Sequence, residues 1–478
     1  MFYRPDEKAV CADVIPFFEE GEFKLFYLKD YRNVAEHGEG CDWHLLTTKD
    51  LVHYEDQGVA IARGSADEQD LYVFTGCCIR TDEQYMIYYT GHNPYKRREG
   101  FPEQIIMRAT SRDMKQWEKD LNFAFTAPDW LEMHDFRDPF IFYDEEKKCY
   151  AMLLAGRVKA DMPHNSKGVT LVAYSIDLDN WEVSQTPFFA PEAYYTHECP
   201  DLFQIGEWWY LVFSEFTDRF TTTYRISRSP YGPWITPKIN TFDGHAFYAA
   251  KSVSDGKRRI MFGWNPIKDQ EQDNNEWQWG GNIIAHELVQ QTDGTLLVKC
   301  PDEIRNNYDK NCRLTEGVQV GSVTKTTEGY LVGNDYGRSI QMLGEIPAHC
   351  RIEMTFVPKN EVGDFGVILN ADASANTFYT VRFEPSFNRL AFDRWPRKDL
   401  YQHTSVDVER NCVLKIGEIN KLTILIQDSV LEVYVNDEVA MGARMFDLTG
   451  NFGIYTMSTV VEFKNTTVCV EKLQHGKK

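Results

Sequence analysis

Asp113-Met114-Lys115-Gln116-Trp117 decides the fold, because it is one of a set. The same Asp-x-x-x-aromatic element stands 63 residues earlier, at Asp50-Leu51-Val52-His53-Tyr54, and 64 residues later, at Asp177-Leu178-Asp179-Asn180-Trp181. A looser relative, Ser229-Pro230-Tyr231-Gly232-Pro233-Trp234, follows. Each Asp comes just after Thr or Ser: Thr47-Thr48-Lys49, Thr110-Ser111-Arg112, Tyr174-Ser175-Ile176. Short hydroxyl and carboxylate side chains bond to nearby backbone, so the pattern reads as a turn ahead of a short outer strand.

Working outward, each period holds two β-rich runs joined by a polar turn. The pairs are 13–18 with 23–28, 71–79 with 85–89, 138–143 with 149–154, 198–203 with 208–213, and 247–252 with 259–262. No helical period of comparable length competes. Five hairpins at this spacing, each followed by further short strands, predict a five-bladed β-propeller over residues 1–300. Near residue 297 the pattern changes. Residues 301–316 are polar, lack alternation and read as a linker. From 317 to 478 short alternating strands recur, such as Arg351–Phe356 and Leu431–Val435, and predict a β-sandwich. The fold class is therefore all-β, a five-bladed propeller followed by a C-terminal sandwich.

Composition bounds the partners. The 478 residues carry 51 Lys+Arg against 72 Asp+Glu, a net charge of −21. That excludes a phosphate-backbone partner, which needs a basic excess, and argues against an anionic membrane surface. Met1–Glu7 lacks a basic segment followed by an apolar run, and no apolar run approaches ~20 residues, so neither a signal peptide nor a membrane span is expected. The 11 cysteines show no CxxC spacing and read as free thiols of a cytoplasmic protein. Oligomeric state is not legible.

In a propeller, residues that start the inner strands converge at one end of the axis. Asp13, Asp138 and Glu198 begin three of the predicted inner strands, and Asp70 lies close to the start of another. A lone strand-start Asp most often caps a turn. The repeated placement, with Arg137-Asp138-Pro139 and Glu198-Cys199-Pro200, favours chemistry instead. Carboxylates held together resist simultaneous ionisation, which suits acid/base and nucleophilic work on a glycosidic bond.

These motifs resemble glycoside hydrolase family 32, the β-fructofuranosidases. Phe136-Arg137-Asp138-Pro139 matches the family's R-D-P motif and Glu198-Cys199-Pro200 its E-C motif. Trp43 ahead of Thr48-Lys49-Asp50-Leu51, Phe74-Thr75-Gly76, and Phe247-Tyr248-Ala249 leading to Gly263-Trp264 extend the likeness. Leu431–Asn436 with Gly450–Ile454 is similar to the family's sandwich module. The resemblance implies a propeller plus sandwich and a retaining glycosidase without cofactor or catalytic metal, acting on a small saccharide. It places the nucleophile on Asp13, the transition-state stabiliser on Asp138 and the general acid/base on Glu198. Trp43, Phe74, Thr75, Arg137, Tyr248 and Trp264 become the substrate-binding candidates.

Three departures bear on specificity. The family's W-M-N-D-P-N-G motif is here Val10-Cys11-Ala12-Asp13-Val14-Ile15-Pro16, its F-Y-Q is Phe26-Tyr27-Leu28, and the acid that commonly precedes F-Y-A is Ala246, with Asp243 and His245 nearby. Each removes a polar group expected to touch the sugar, and sites built around such groups reject ligands when the pairing is lost. A furanosidase for another sugar, a fructosyltransferase and an inactive sugar-binding relative therefore stay open. Trp277 and Trp279 are candidates for a sugar-stacking platform or for packing between blades. His197, beside Glu198, should point away from it, because side chains alternate along a strand.

Overall fold

The computed structural model describes residues 1–6, 8–217, 219–244, 247–396, 406–447 and 449–471. Five antiparallel blades follow one another in chain order. Blade one is β1 (Ala9–Glu19), β2 (Glu22–Tyr31), β3 (Asp42–Thr48) and β4 (Glu55–Ile61). Blade two is β5 (Tyr72–Arg80), β6 (Tyr85–His92), β7 (Gln104–Ser111) and β8 (Glu118–Lys119). Blade three is β9 (Leu131–Asp144), β10 (Cys149–Val158), β11 (Gly168–Ser175) and β12 (Glu182–Val183). Blade four is β13 (Thr196–Ile205), β14 (Trp208–Phe216) and β15 (Thr221–Ser227), with two isolated bridges, Ile226 to Ile235 and Thr223 to Thr241, in place of a fourth strand. Blade five is β16 (Tyr248–Ser254), β17 (Arg259–Lys268), β18 (Trp277–Gln290) and β19 (Leu296–Lys299). Blades one and five join into one sheet where Cys11 of β1 pairs with Gly281 of β18.

The Asp-x-x-x-aromatic elements form the turns between the third and fourth strands. In each, one carboxylate oxygen accepts two backbone N–H groups: Val52 and His53 on Asp50, Lys115 and Gln116 on Asp113, Asp179 and Asn180 on Asp177. The next residue, Leu51, Met114 or Leu178, adopts positive φ and is buried. The repeat thus encodes a tight turn that drives one apolar side chain inward.

Two further sheets, of eight and seven strands, pack face to face over a core that includes Phe356, Phe365, Phe383, Phe463, Leu422 and Val433. The stretch expected as a linker carries structure of its own: a short helix, Asp302–Asn306, and a strand, Tyr308–Asn311, that pairs with the last sandwich strand, Val460–Glu471. Buried Tyr308 anchors it. Among the described residues, no helix is long and apolar enough to cross a membrane.

Fully buried Arg444 ties sandwich to propeller. It donates to the Asn265 side chain and backbone carbonyl, the Pro266 carbonyl and Asn282 Oδ1, at 2.7–3.1 Å. Arg444→Ala strands these acceptors away from water, so it should destabilise the protein by more than about 3 kcal/mol in a denaturant titration. A loss below about 1 kcal/mol would show that the interface does not depend on this guanidinium.

Candidate active site

The inner strands carry an irregularity that places the site. Register shifts in β1, β5, β9, β13 and β16 fall after Ala12, Phe74, Arg137, Glu198 and Tyr248. A β-bulge of this kind turns the strand and re-aims the side chain at the bulge. The first bulged residues are Asp13 (φ 41°), Asp138 (φ 61°), Cys199 (φ 51°) and Ala249 (φ 50°), with Thr75 at the corresponding place in β5. Positive φ is costly outside glycine and persists only where surrounding contacts enforce it. Four of the five bulges touch: Thr75 donates to Asp13 Oδ2 at 2.5 Å, Cys199 Sγ lies 3.6 Å from Thr75 Oγ1, and Cys199 N–H donates to Asp138 Oδ2 at 2.9 Å. Asp13 and Asp138 are equivalent by this register, whereas Glu198 sits one residue earlier in its strand, where Arg137 and Tyr248 sit in theirs.

The three carboxylates line one cavity of about 250 Å³ together with Phe74, Arg137, Tyr248, Gln104, Asp135, Tyr195, Cys199, Phe216 and Trp279. Arg137 is the hub. Its guanidinium donates to Glu198 Oε1 at 2.8 Å, Asp135 Oδ1 at 3.0 Å, Thr196 Oγ1 at 3.0 Å and Gln104 Oε1 at 3.2 Å, and its Nε lies 3.8 Å from Asp138. The other Glu198 oxygen accepts the Tyr248 hydroxyl at 2.6 Å. Burial pushes the Asp13 carboxyl up to about 7, and Asp138 and Glu198 add to this against the hydrogen bonds from Thr75 and Trp264. Burial likewise lifts Asp138 to about 6, with Arg137 pulling the other way. Burial opposes the Arg137 charge, but Glu198, Asp138 and Asp135 outweigh it and hold the guanidinium above its ordinary range.

The remaining sequence candidates divide by depth. Thr75 and Trp264 are buried behind Asp13; the Trp264 indole N–H reaches Asp13 Oδ1 at 3.4 Å. Trp43 is fully buried between Phe26 and Tyr89 and does not line the cavity; its place beside the turn motif is a packing role. Asp70, near the start of β5, is turned away, its carboxylate 2.6 Å from Lys119 Nζ and 2.9 Å from the Tyr89 hydroxyl. His197 points into the blade against Phe213, and burial lowers its pKa to about 3. Of the two tryptophans, Trp279 lines the cavity while Trp277 packs against the sandwich core. Ala12 and Leu28 are cross-strand partners, both fully buried, so the two lost polar groups are replaced by one apolar contact behind Asp13. Ala246 and His245 lie outside the described residues. Sequence reasoning missed Gln104, Asp135, Tyr195 and Phe216. Asp135 had a signal, being two residues before Arg137 on the same face of β9. A larger cleft of about 520 Å³, between propeller and sandwich beside Phe387, Arg389 and Arg410, holds none of the three carboxylates.

A β-propeller that gathers carboxylates from separate blades in one pocket, with a sandwich beside it, is an architecture suited to a glycosidase. The description "Glycosyl hydrolases family 32 N-terminal domain" matches residues 14–301, and "Glycosyl hydrolases family 32 C terminal" matches residues 322–471. The chain belongs to glycoside hydrolase family 32. Asp13 lies one residue ahead of the matched region. Relatives include an Escherichia coli sucrose-6-phosphate hydrolase, 25% identical over 89% of this chain and 84% of its own length. An E. coli raffinose invertase is 25% identical over 84% and 80% respectively, and a Bacillus subtilis levanbiose-producing levanase 23% over 95% and 87%. Among solved structures, exo-inulinase from Aspergillus awamori superposes with a TM-score of 0.71 at 15% identity, covering 98% of this chain and 97% of that one. Fructan 1-exohydrolase IIa from Cichorium intybus in complex with 1-kestose gives 0.71 at 17%, covering 98% and 97%.

The raised carboxyl pKa values set a stability signature. Folded Asp13 and Asp138 keep protons that the unfolded chain releases near pH 4, so the stability they contribute at low pH is lost as pH rises through about 7. Asp13→Asn should therefore melt several degrees above the wild type at pH 8 and level with it at pH 4, by calorimetry. A difference that does not change with pH would overturn this account of the pocket.

Proposed function

We propose that the protein removes a terminal β-fructofuranosyl group from a small saccharide with retention of configuration. The observation that carries this reading is the pocket in which Asp13, Asp138 and Glu198 meet, each held by a separate set of donors. Asp13, gripped by Thr75 and Trp264, attacks the anomeric carbon. Glu198 gives a proton to the departing oxygen, then takes one from the water that releases the sugar. Asp138 and Arg137 hold sugar hydroxyls through hydrogen bonds that strengthen as the ring flattens toward the transition state. The propeller (1–300) carries this chemistry and the sandwich (317–478) buttresses it across the connecting stretch 301–316.

Relatives named for sucrose-6-phosphate, raffinose and levan, together with a solved structure holding 1-kestose, support a fructosyl group. The apolar Ala12–Leu28 pair favours a second reading, a furanoside whose hydroxyl pattern differs from fructose. We place the enzyme in the cytoplasm, in keeping with eleven unpaired cysteines.

Glu198→Gln should lower turnover about 10²–10⁴-fold, and Asp13→Asn should abolish it, on a panel of fructosides and arabinofuranosides with the product anomer followed by NMR. Near-wild-type rates in both variants would sink the assignment. Because Asp13 must be ionised to attack and sits near 7, kcat/KM should fall below about pH 7. The Thr75 hydrogen bond lowers that pKa, so Thr75→Val should move the acid limb upward and cut kcat/KM about tenfold. An unmoved limb would remove Asp13 from the titration.

A further inference from the structure

One buried cluster outside the pocket has no part in this chemistry. Asp243, in the loop before β16, His286 of β18 and Glu432 of the sandwich strand Val430–Val435 bring three ligand atoms within 4.8 Å of one another. The residues are 43 and 146 positions apart in sequence, so no metal-ligand spacing could reveal them. All three are buried, Glu432 completely. Asp243 Oδ1 accepts the backbone N–H groups of Gly244 and Gly442 at 2.5 Å, and Asp243 Oδ2 lies 2.9 Å from His286 Nε2. His286 Nδ1 is 3.0 Å from the Tyr434 hydroxyl. Glu432 Oε1 has a 3.5 Å contact with Asn265 Nδ2, Glu432 Oε2 accepts from no donor among the described residues, and the Glu432 carboxyl stands against that of Asp243. A cavity of about 10 Å³ borders Asp243, Asn265 and Gly442, room for about one water.

We infer that Asp243, His286 and Glu432 form a structural site for one divalent transition metal of the zinc class, which pins the sandwich to the propeller. One imidazole nitrogen and two carboxylate oxygens make a donor set that Zn²⁺ accepts, with water as a fourth ligand. The surrounding groups are those that orient metal ligands. Tyr434 can accept the Nδ1 proton of His286 and leave Nε2 with its lone pair free, and two backbone N–H groups fix Asp243. Glycine at 442 is needed for that approach, because a Cβ there would collide with Glu432 Oε1 and Asn265 Nδ2. A buried carboxylate oxygen without a donor requires a cation or a proton. The nearby guanidiniums make no hydrogen bond to the cluster among the described residues: Arg410 acts on Asp243 through space while donating to the Thr241 carbonyl, and Arg444 is committed to Asn265, Pro266, Asn282 and Ser429.

The test uses the full-length protein refolded with chelator or with Zn²⁺ alone. Elemental analysis should find one equivalent of zinc in the second sample, and its melting temperature should exceed the first by about 3 °C at a hundredfold excess over Kd. Glu432→Gln and His286→Gln, checked for fold by circular dichroism, should lose the bound zinc and the difference between samples while keeping turnover. Wild type without bound metal and indifferent to chelator would overturn the proposal, whether or not the variants fold. So would Glu432→Gln with full zinc content. Metal-free wild type with Glu432→Gln at equal or higher stability would show that a proton shared between Glu432 and Asp243 fills the place instead.

Discussion

The site depends on the cost of holding several carboxylates near one guanidinium out of water. Asp135, Asp138 and Glu198 all border Arg137, and Asp13 stands one bulge away with only neutral donors, Thr75 and Trp264, to hold it. Arg137, with Arg157 3.5 Å from Asp135 and Lys251 acting on Asp138, does not offset the burial of these acids, so Asp13 and Asp138 keep protons toward neutrality, burial first and the neighbouring carboxylates second. Removing the cation while leaving the acids buried would be far more damaging than removing the whole set. The blades must supply enough packing to offset this charge concentration, and the fully buried tyrosines and tryptophans beside the inner strands, Tyr27, Trp43, Tyr88, Tyr89 and Trp264 among them, do so.

The fold was legible because its signals are local. Alternating apolar residues, a polar turn and an Asp-x-x-x-aromatic closure recur in sequence, and each hairpin forms where these signals stand. The bulges were not legible. Each is a one- or two-residue disagreement between neighbouring strands, enforced by contacts with other blades, and nothing in the residues of β9 alone says that Asp138 takes positive φ. By register Asp13 and Asp138 are equivalent, and the equivalent of both in β13 is Cys199, with Glu198 one residue earlier. Trp43 was misplaced for a related reason. A motif neighbour can serve the fold, and an aromatic on an inner face gives no sign of which role it has until the opposite face is known. The polar run after residue 300 hid a strand because its partner, Val460–Glu471, lies some 150 residues further on.

The apolar pair behind Asp13 shows how specificity can change without touching the charged groups. Ala12 and Leu28 face each other across β1 and β2, so neither needs a polar partner at the other, but the indole N–H of Trp43, paired with Leu28 in the same cluster, has no hydrogen-bond partner among the described residues. Asp13, Asp138 and Glu198 keep their donors while the wall behind Asp13 is apolar. The same pocket is also lined by the aromatic residues Tyr195, Phe216, Trp279 and Phe74.

The pairing of Cys11 with Gly281 has a consequence for how the chain is built. A ring is closed by its ends, and here the first inner strand finds its second neighbour only when blade five exists. Trp264, which grips Asp13, belongs to that same late blade. During synthesis from the N-terminus, blades two to four can form hairpins as they emerge, but β1 must wait, half-paired, for nearly 270 further residues. Contacts of such long sequence separation form slowly and leave an open strand edge meanwhile. The surroundings of Asp13 are therefore complete only once blade five has been made, and a chain stopped before it lacks both the Gly281 pairing and the Trp264 contact.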